Sequence, residues 1–192
     1  HFGNRESQIN TRAALDLVAH LFPIDRDRVY GAGFSMGGGA VAGYAARHLD
    51  PSGVRFAAIC DHTGGVSLAH TWFSEPDDAD LDDNLPQPGQ NLEVPDVLES
   101  LFGGTPSAVP FEYQRCSTID LDPITNQIGP GTDFGRNLAH IPTLVWIASG
   151  DPLVYLGTQS YAFDGHLQAQ NAGHQLTVAS GSVHSWSTLD ET

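Results

Sequence analysis

Gly33-Phe34-Ser35-Met36-Gly37 spells G-x-S-x-G, a spacing at which a serine can become a nucleophile. A serine on a sharp turn has a strained backbone, so the residues two before and two after it must be small. Gly33 and Gly37 meet that demand. The pentapeptide alone is a weak signal, because two of its positions accept any residue. It gains weight when a strand precedes it and a helix follows. A helix opening at Met36 would aim backbone N–H groups at a developing oxyanion, with the Met36 amide as one donor. The plainer alternative is a glycine-rich strand-to-helix turn with a spectator serine.

A serine hydroxyl needs a base, and the base needs an acid to orient it. Asp151 follows the apolar run Thr143–Ser149 through Gly150, and His184 follows the run Gln175–Ser180 through Gly181-Ser182-Val183. As strands of a parallel sheet, both runs would end where open α/β sheets carry their active sites. Ser35, Asp151 and His184 then share one rim, in the chain order serine, acid, histidine. Asp61 directly follows the run Val54–Cys60 and rivals Asp151, since strand-end placement supports either. His62, beside it, could line the site. His140 precedes a strand and His174 starts one, so both fall at the wrong edge, while His20 and His48 fall on helices.

Trp72, Phe73, Tyr155 and Trp186 could wall an apolar substrate site or serve in ordinary packing. Trp186 is the best placed of them, two residues after His184. Asp78-x-Asp80-x-Asp82-x-Asn84 has the alternation of a calcium loop. Such a loop wants Gly sixth and Glu twelfth, and here those positions are Asp83 and Gly89, so a solvated acidic loop is expected and no metal is assigned. Cys60 and Cys116 have no metal-like spacing. Two buried thiols are favoured over a single bridge.

The elements that must position these residues follow from periodicity. Ile9, Ala13, Leu17 and Leu21 recur every four positions and predict a helix from Arg5 to Phe22, ended by Pro23. Arg28–Phe34 reads as a strand, Met36–His48 as a helix, and Val54–Cys60 as a second strand. After a long insert come the strand Thr143–Ser149, a helix over Tyr161–Ala172, and the strand Gln175–Ser180. Strands alternating with helices imply a parallel sheet with helices on both faces. The insert, residues 61–141, is rich in Pro, Gly and Asp and has no clear period, apart from a short helix over Val94–Phe102. An insert of that length is usually functional, as a lid, or builds small elements of its own.

The chain has 192 residues, enough for one domain with a substantial core. Its net charge is −15, and all eight basic residues are Arg. That balance argues against nucleic acid, which needs clustered Lys and Arg, and against an anionic membrane surface. A saline habitat and a compositional bias of the source are both open explanations. No apolar run approaches a membrane span. The chain opens His1-Phe2-Gly3-Asn4 without Met, so polypeptide upstream is expected and no targeting signal can be read.

Asn10 to Gly38 resembles a recurrent segment of secreted α/β-hydrolases. The segment runs from a helix through Pro23-Ile24-Asp25-Arg26-Asp27-Arg28-Val29-Tyr30 into Gly33-Phe34-Ser35-Met36-Gly37-Gly38. It is similar to the polyhydroxyalkanoate depolymerase and feruloyl esterase group, and more loosely to the prolyl oligopeptidase catalytic domain. The resemblance implies that Asp151 is the acid and His184 the base, and His184-Ser185-Trp186 is similar to the histidine–aromatic endings of these esterases. It implies an α/β-hydrolase fold over residues 1–192 and hydrolysis of a small or polymeric ester through an acyl-enzyme. No cofactor is implied, and secretion or a periplasmic location is. A serine peptidase and a non-catalytic binding relative are the alternatives. The family fold has strands before the helix that opens this chain, and one of their loops supplies a second oxyanion donor. The expectation is therefore a sheet lacking its N-terminal strands, in which the strand before Ser35 has one side bare or paired with chain outside this sequence.

Overall fold

Short apolar runs that alternate with helical stretches assemble, in the computed structural model, into a parallel sheet of four strands in the order β1-β2-β3-β4. The structure describes residues 2–74, 94–129, 133–170, 172–181 and 184–186. The strands are β1 (Tyr30–Phe34), β2 (Ala58–His62), β3 (Thr143–Ala148) and β4 (His174–Ala179). The helices are α1 (Arg5–Leu21), α2 (Met36–Arg47), α3 (Leu68–Ser74), α4 (Val94–Phe102), α5 (Pro110–Cys116) and α6 (Val154–Ala169), with a 3₁₀ turn at Gly135–His140. The acidic run from Glu75 to Asn84, with its calcium-like alternation, lies outside the described residues.

Register fixes which residues share a face. Gly33 pairs with Asp61, Asp61 with Val145, and Val145 with Leu176. That row looks toward α2 and α6, whose Ala42, Tyr44, Ala45, Phe163 and Leu167 form one buried cluster with Ile59 and Val145. The next row, Ala32, Cys60, Leu144 and Gln175, looks the other way and is exposed or half-buried.

β2 begins later than the apolar run implied. Val54 to Ala57 form an extended lead-in tied by the Ala57 amide to Val29 O at 2.7 Å. Asp61 and His62 therefore lie inside the strand rather than beyond it. α6 begins at Val154, seven residues before the expected Tyr161. The insert is not irregular throughout. Its α3, α4 and α5 bury Leu68, Val94, Leu98, Phe102, Tyr113 and Cys116 in a second, smaller cluster. α3 and α5 have seven residues each, too short for a period to be read.

β1 stands at the edge of the sheet. Among the described residues nothing pairs with its outer side, and Tyr30 is 66% exposed. α1 is well formed, with Asn4 Oδ1 accepting from the Ser7 amide at 2.9 Å, yet none of its residues is buried.

Candidate active site

Ser35 occupies the junction between β1 and α2 with φ 54° and ψ −126°. A residue with a Cβ holds that conformation only when its surroundings over-determine it. Here they do. The Ser35 amide donates to His62 O at 2.9 Å, which ties the turn to β2, and Ser35 O accepts from the Gly38 amide at 2.9 Å, which closes the first turn of α2.

The two motif glycines are not equivalent. A Cβ at Gly33 would fall 2.0 Å from Gly37 O, a backbone atom that cannot step aside, whereas a Cβ at Gly37 would meet nothing within 4 Å. The steric demand expected of Gly37 falls instead on Gly38 and Gly39, where a Cβ would lie 2.3 Å from Asp61 Oδ1 and 2.1 Å from Gly65 O.

His184, past the end of β4, donates from Nδ1 to Asp151 Oδ2 at 2.8 Å. Asp151 is buried beyond the end of β3, and its Oδ1 accepts from the Leu153 amide at 2.9 Å. The imidazole is thus held in one tautomer. His184 Nε2 is buried and has no hydrogen-bond partner among the described residues. Ser35 and His184 both line a cavity of about 210 Å³. Met36, the first residue of α2, lines it too, with Phe2, Gly65, Thr71, Val94, Leu153, Tyr155 and Leu156. Asp61, the rival acid, is fully buried on the α2 side of β2 and makes no hydrogen bond to His184.

The aromatic residues divide differently from expectation. Phe34 stacks obliquely on His184 with ring centroids 4.4 Å apart and reaches Trp186 at 5.4 Å. His62 packs edge-on against both Phe34 and Trp186, at 5.0 and 5.3 Å. It is buried behind His184 and does not line that cavity. Burial pushes its imidazole down, the neighbouring His184 adds to that, and Asp151 opposes it. Trp186 is half-exposed and braces the same cluster rather than the cavity wall. Trp72 and Phe73 are also displaced from the cavity, because α3 carries them into the insert. Trp72 Nε1 donates to Glu99 Oε1 at 3.0 Å, and Phe73 is exposed beside it. Of the four aromatics after strand ends, Tyr155 alone lines the cavity.

Sequence reasoning missed Phe2, Gly65, Thr71, Val94, Leu153 and Leu156. Gly65, Thr71 and Val94 come from the insert, where no period marks them, Phe2 precedes α1, and Leu153 and Leu156 become legible only once the true start of α6 is known. Both cysteines are free. Cys116 is buried and Cys60 half-buried, its thiol pushed up to about 11 by burial and then by Asp61. Among the described residues no group of three His, Cys, Asp or Glu side chains could hold a metal ion, and no helix is long and apolar enough to cross a membrane.

No family model and no curated protein sequence matches the chain. Solved structures do. A dipeptidyl peptidase 4 from Porphyromonas gingivalis superposes on 92% of this chain with a TM-score of 0.62 at 15% identity. Carboxyl esterase 2 from the fungus Tuber melanosporum covers 93% with a TM-score of 0.58 at 18% identity. A ferulic acid esterase covers 91% with a TM-score of 0.50, also at 18% identity. At such identities the likeness is one of fold, and that fold is the α/β-hydrolase fold. The chain spans 51% and 52% of the two esterases and 19% of the peptidase.

Proposed function

We propose that this protein is a serine hydrolase acting on carboxylic esters. One juxtaposition carries the reading: Ser35 on its left-handed turn and His184, hydrogen-bonded to Asp151, line a single cavity. The described residues lining that cavity include no Asp, Glu, Arg or Cys, and most are apolar, which suits an uncharged substrate group.

The chemistry follows from the roles. Ser35 Oγ gives its proton to His184 Nε2 as it bonds to the ester carbonyl carbon, and the carbonyl electron pair moves onto oxygen. The oxyanion forms at the N-terminus of α2, where the Met36 amide is the proposed donor. When the intermediate collapses, the C–O bond to the alcohol breaks and His184 returns its proton to that leaving oxygen. Water then adds to the acyl-enzyme, passing one proton to Nε2, and the second collapse restores the Ser35 hydroxyl and frees the acid. Asp151 holds the imidazole throughout. No cofactor enters these steps.

A fluorophosphonate probe tests the nucleophile directly. It should label Ser35, and Ser35→Ala should lose the label and about a thousandfold or more in turnover of an activated ester while keeping its melting temperature. Unchanged turnover in the variant would end the proposal. A folded protein that takes no label would be a binding relative instead. The fold likeness to a dipeptidyl peptidase supports a second reading, a serine peptidase with the same triad, and a side-by-side assay of peptide anilides and esters separates the two.

A further inference from the structure

A second carboxyl group lies directly under the serine turn, outside the triad. Asp61 is 0% exposed, and neither of its oxygens makes a hydrogen bond of full geometry among the described residues, the Gly64 amide being the one backbone donor close enough to favour its charged form. The space it occupies exists only because its neighbours are glycines. A Cβ on Gly38 would lie 2.3 Å from Asp61 Oδ1, and a Cβ on Gly64 would lie 2.0 Å from it. Gly38 is in the first turn of α2, three residues after Ser35. The carboxyl is therefore wedged between the helix that carries the nucleophile and the loop that follows β2.

Among the described residues no ionisable side chain faces it. Its strand partners are Gly33 on β1 and Val145 on β3, and α2 and the loop bring Gly38 and Gly64. The nearest titratable side chains are its chain neighbours Cys60 and His62, which alternation turns to the other face of the sheet. Beyond His62 lies the His184–Asp151 pair.

We propose that Asp61 serves as a neutral acid at the base of the elbow, a positioning residue whose loss of a proton disables Ser35. The proposal rests on the reading of Ser35 as the nucleophile. Two physical effects act together. A negative charge beside the first turn of α2 would cancel the helix-end field that favours the oxyanion, and in a dry site that repulsion is barely screened. A buried carboxylate with no cation and only the Gly64 amide beside it would also draw in water or swing away, removing the wedge that holds Gly38 and Gly64 apart. Burial pushes the Asp61 carboxyl up to about 7, with the nearby Gly64 amide pulling the other way, so the change falls at neutral pH. Below that point Asp61 is neutral and the elbow is intact. Above it the proton passes to solvent and activity declines.

The test is a pH profile of ester turnover on the full chain between pH 5 and 10, for the native protein and Asp61→Asn. In the native protein kcat should fall by about tenfold from pH 6 to pH 9, as expected for a charge opposing the oxyanion at close range. Asp61→Asn should stay within about threefold of native at pH 6 and lose the alkaline fall. A fall that persists in the variant overturns the proposal, and so does a native profile that stays flat. A thousandfold loss at every pH would overturn it too, since that is the signature of a triad acid. Should the variant not fold, carbon-13 NMR of the native Asp61 carboxyl decides, because a midpoint below about 5, near an ordinary aspartate, refutes it. Fluorophosphonate labelling keeps the two readings apart. Labelling of Ser35 with no pH dependence sinks Asp61 alone, whereas no labelling at any pH sinks the hydrolase.

Discussion

The two sides of β1 are unlike. On its inner side α2 approaches so closely that Gly33, Gly38 and Gly39 have no room for a methyl group. On its outer side the strand edge and α1 leave Leu17, Val18, Leu21, Phe22 and Tyr30 exposed, and Val18 and Tyr30 line an apolar groove of about 580 Å³ with Ala14, Leu15 and Val29. Both flanks carry small or apolar residues at helical spacing. What separates them is what that spacing meets: α2 meets β1 and β2, and α1 meets little that is described. A period therefore forecasts a helix, not its burial. The strained conformation of Ser35 sits on the packed flank, where hydrogen bonds from both strand and helix hold it.

The packed flank should break abruptly. Asp151→Asn keeps the shape of the acid but presents an amide to His184 Nδ1, so the imidazole turns to the wrong tautomer. Ester kcat should drop about a thousandfold to ten-thousandfold with little change in melting temperature. A loss under about tenfold would remove Asp151 from the triad.

The glycines sharpen the contrast within one motif. Gly33→Ala drives a methyl group into the Gly37 carbonyl, and nothing flexible can yield. The variant should lose about 3 kcal/mol or more of stability, or fail to fold. Gly37→Ala enters open space in a helix, where alanine is favoured over glycine by about 1 kcal/mol. It should fold at least as well as the native chain. Chemical denaturation of the pair measures the difference, and equal losses would contradict the steric account.

Much of this was legible in the residues. The strand–turn–helix context of Ser35, the α4 boundaries and the succession of four strands along the chain follow from spacing and punctuation, and the positions of Ser35, Asp151 and His184 just past the ends of β1, β3 and β4 follow from where the apolar runs stop. The parts that are hard to read share a cause. The surroundings of Trp72, Phe73 and His62 cannot be read from their distance along the chain from strand ends, because the direction of a side chain depends on register and on where the next helix turns. β2 starts four residues later than its apolar run, so Asp61 and His62 changed from loop residues to strand residues facing opposite sides. Nothing in the sequence marks a carboxyl under the elbow, because its cramped space is made by Gly38 and Gly64 from separate segments. The insert gave least, since seven-residue helices bury too few positions to show a period.

The smallest expected effect is the one that tests the open flank. Leu167 in α6 is fully buried among Phe163, Ile119 and Leu138, while Leu17 in α1 is 57% exposed. Truncating a buried leucine removes its transfer free energy and leaves a cavity, so Leu167→Ala should cost about 2 to 5 kcal/mol. Leu17→Ala deletes the same atoms from a side chain already in water, and alanine is a good helix former, so its cost in a monomer should stay under about 0.5 kcal/mol. Among the described residues nothing pairs with the edge of β1 beside it, and an unpaired strand edge next to an exposed apolar face favours self-association. Leu17→Glu should therefore leave the denaturation midpoint of the dilute chain nearly unchanged and raise the concentration at which it stays monomeric in sedimentation. If Leu17→Ala costs as much as Leu167→Ala, the α1 face is packed in solution and the contrast between the two flanks of β1 is lost. If the midpoint holds and association does not weaken, the exposed stripe is real but is not what brings chains together.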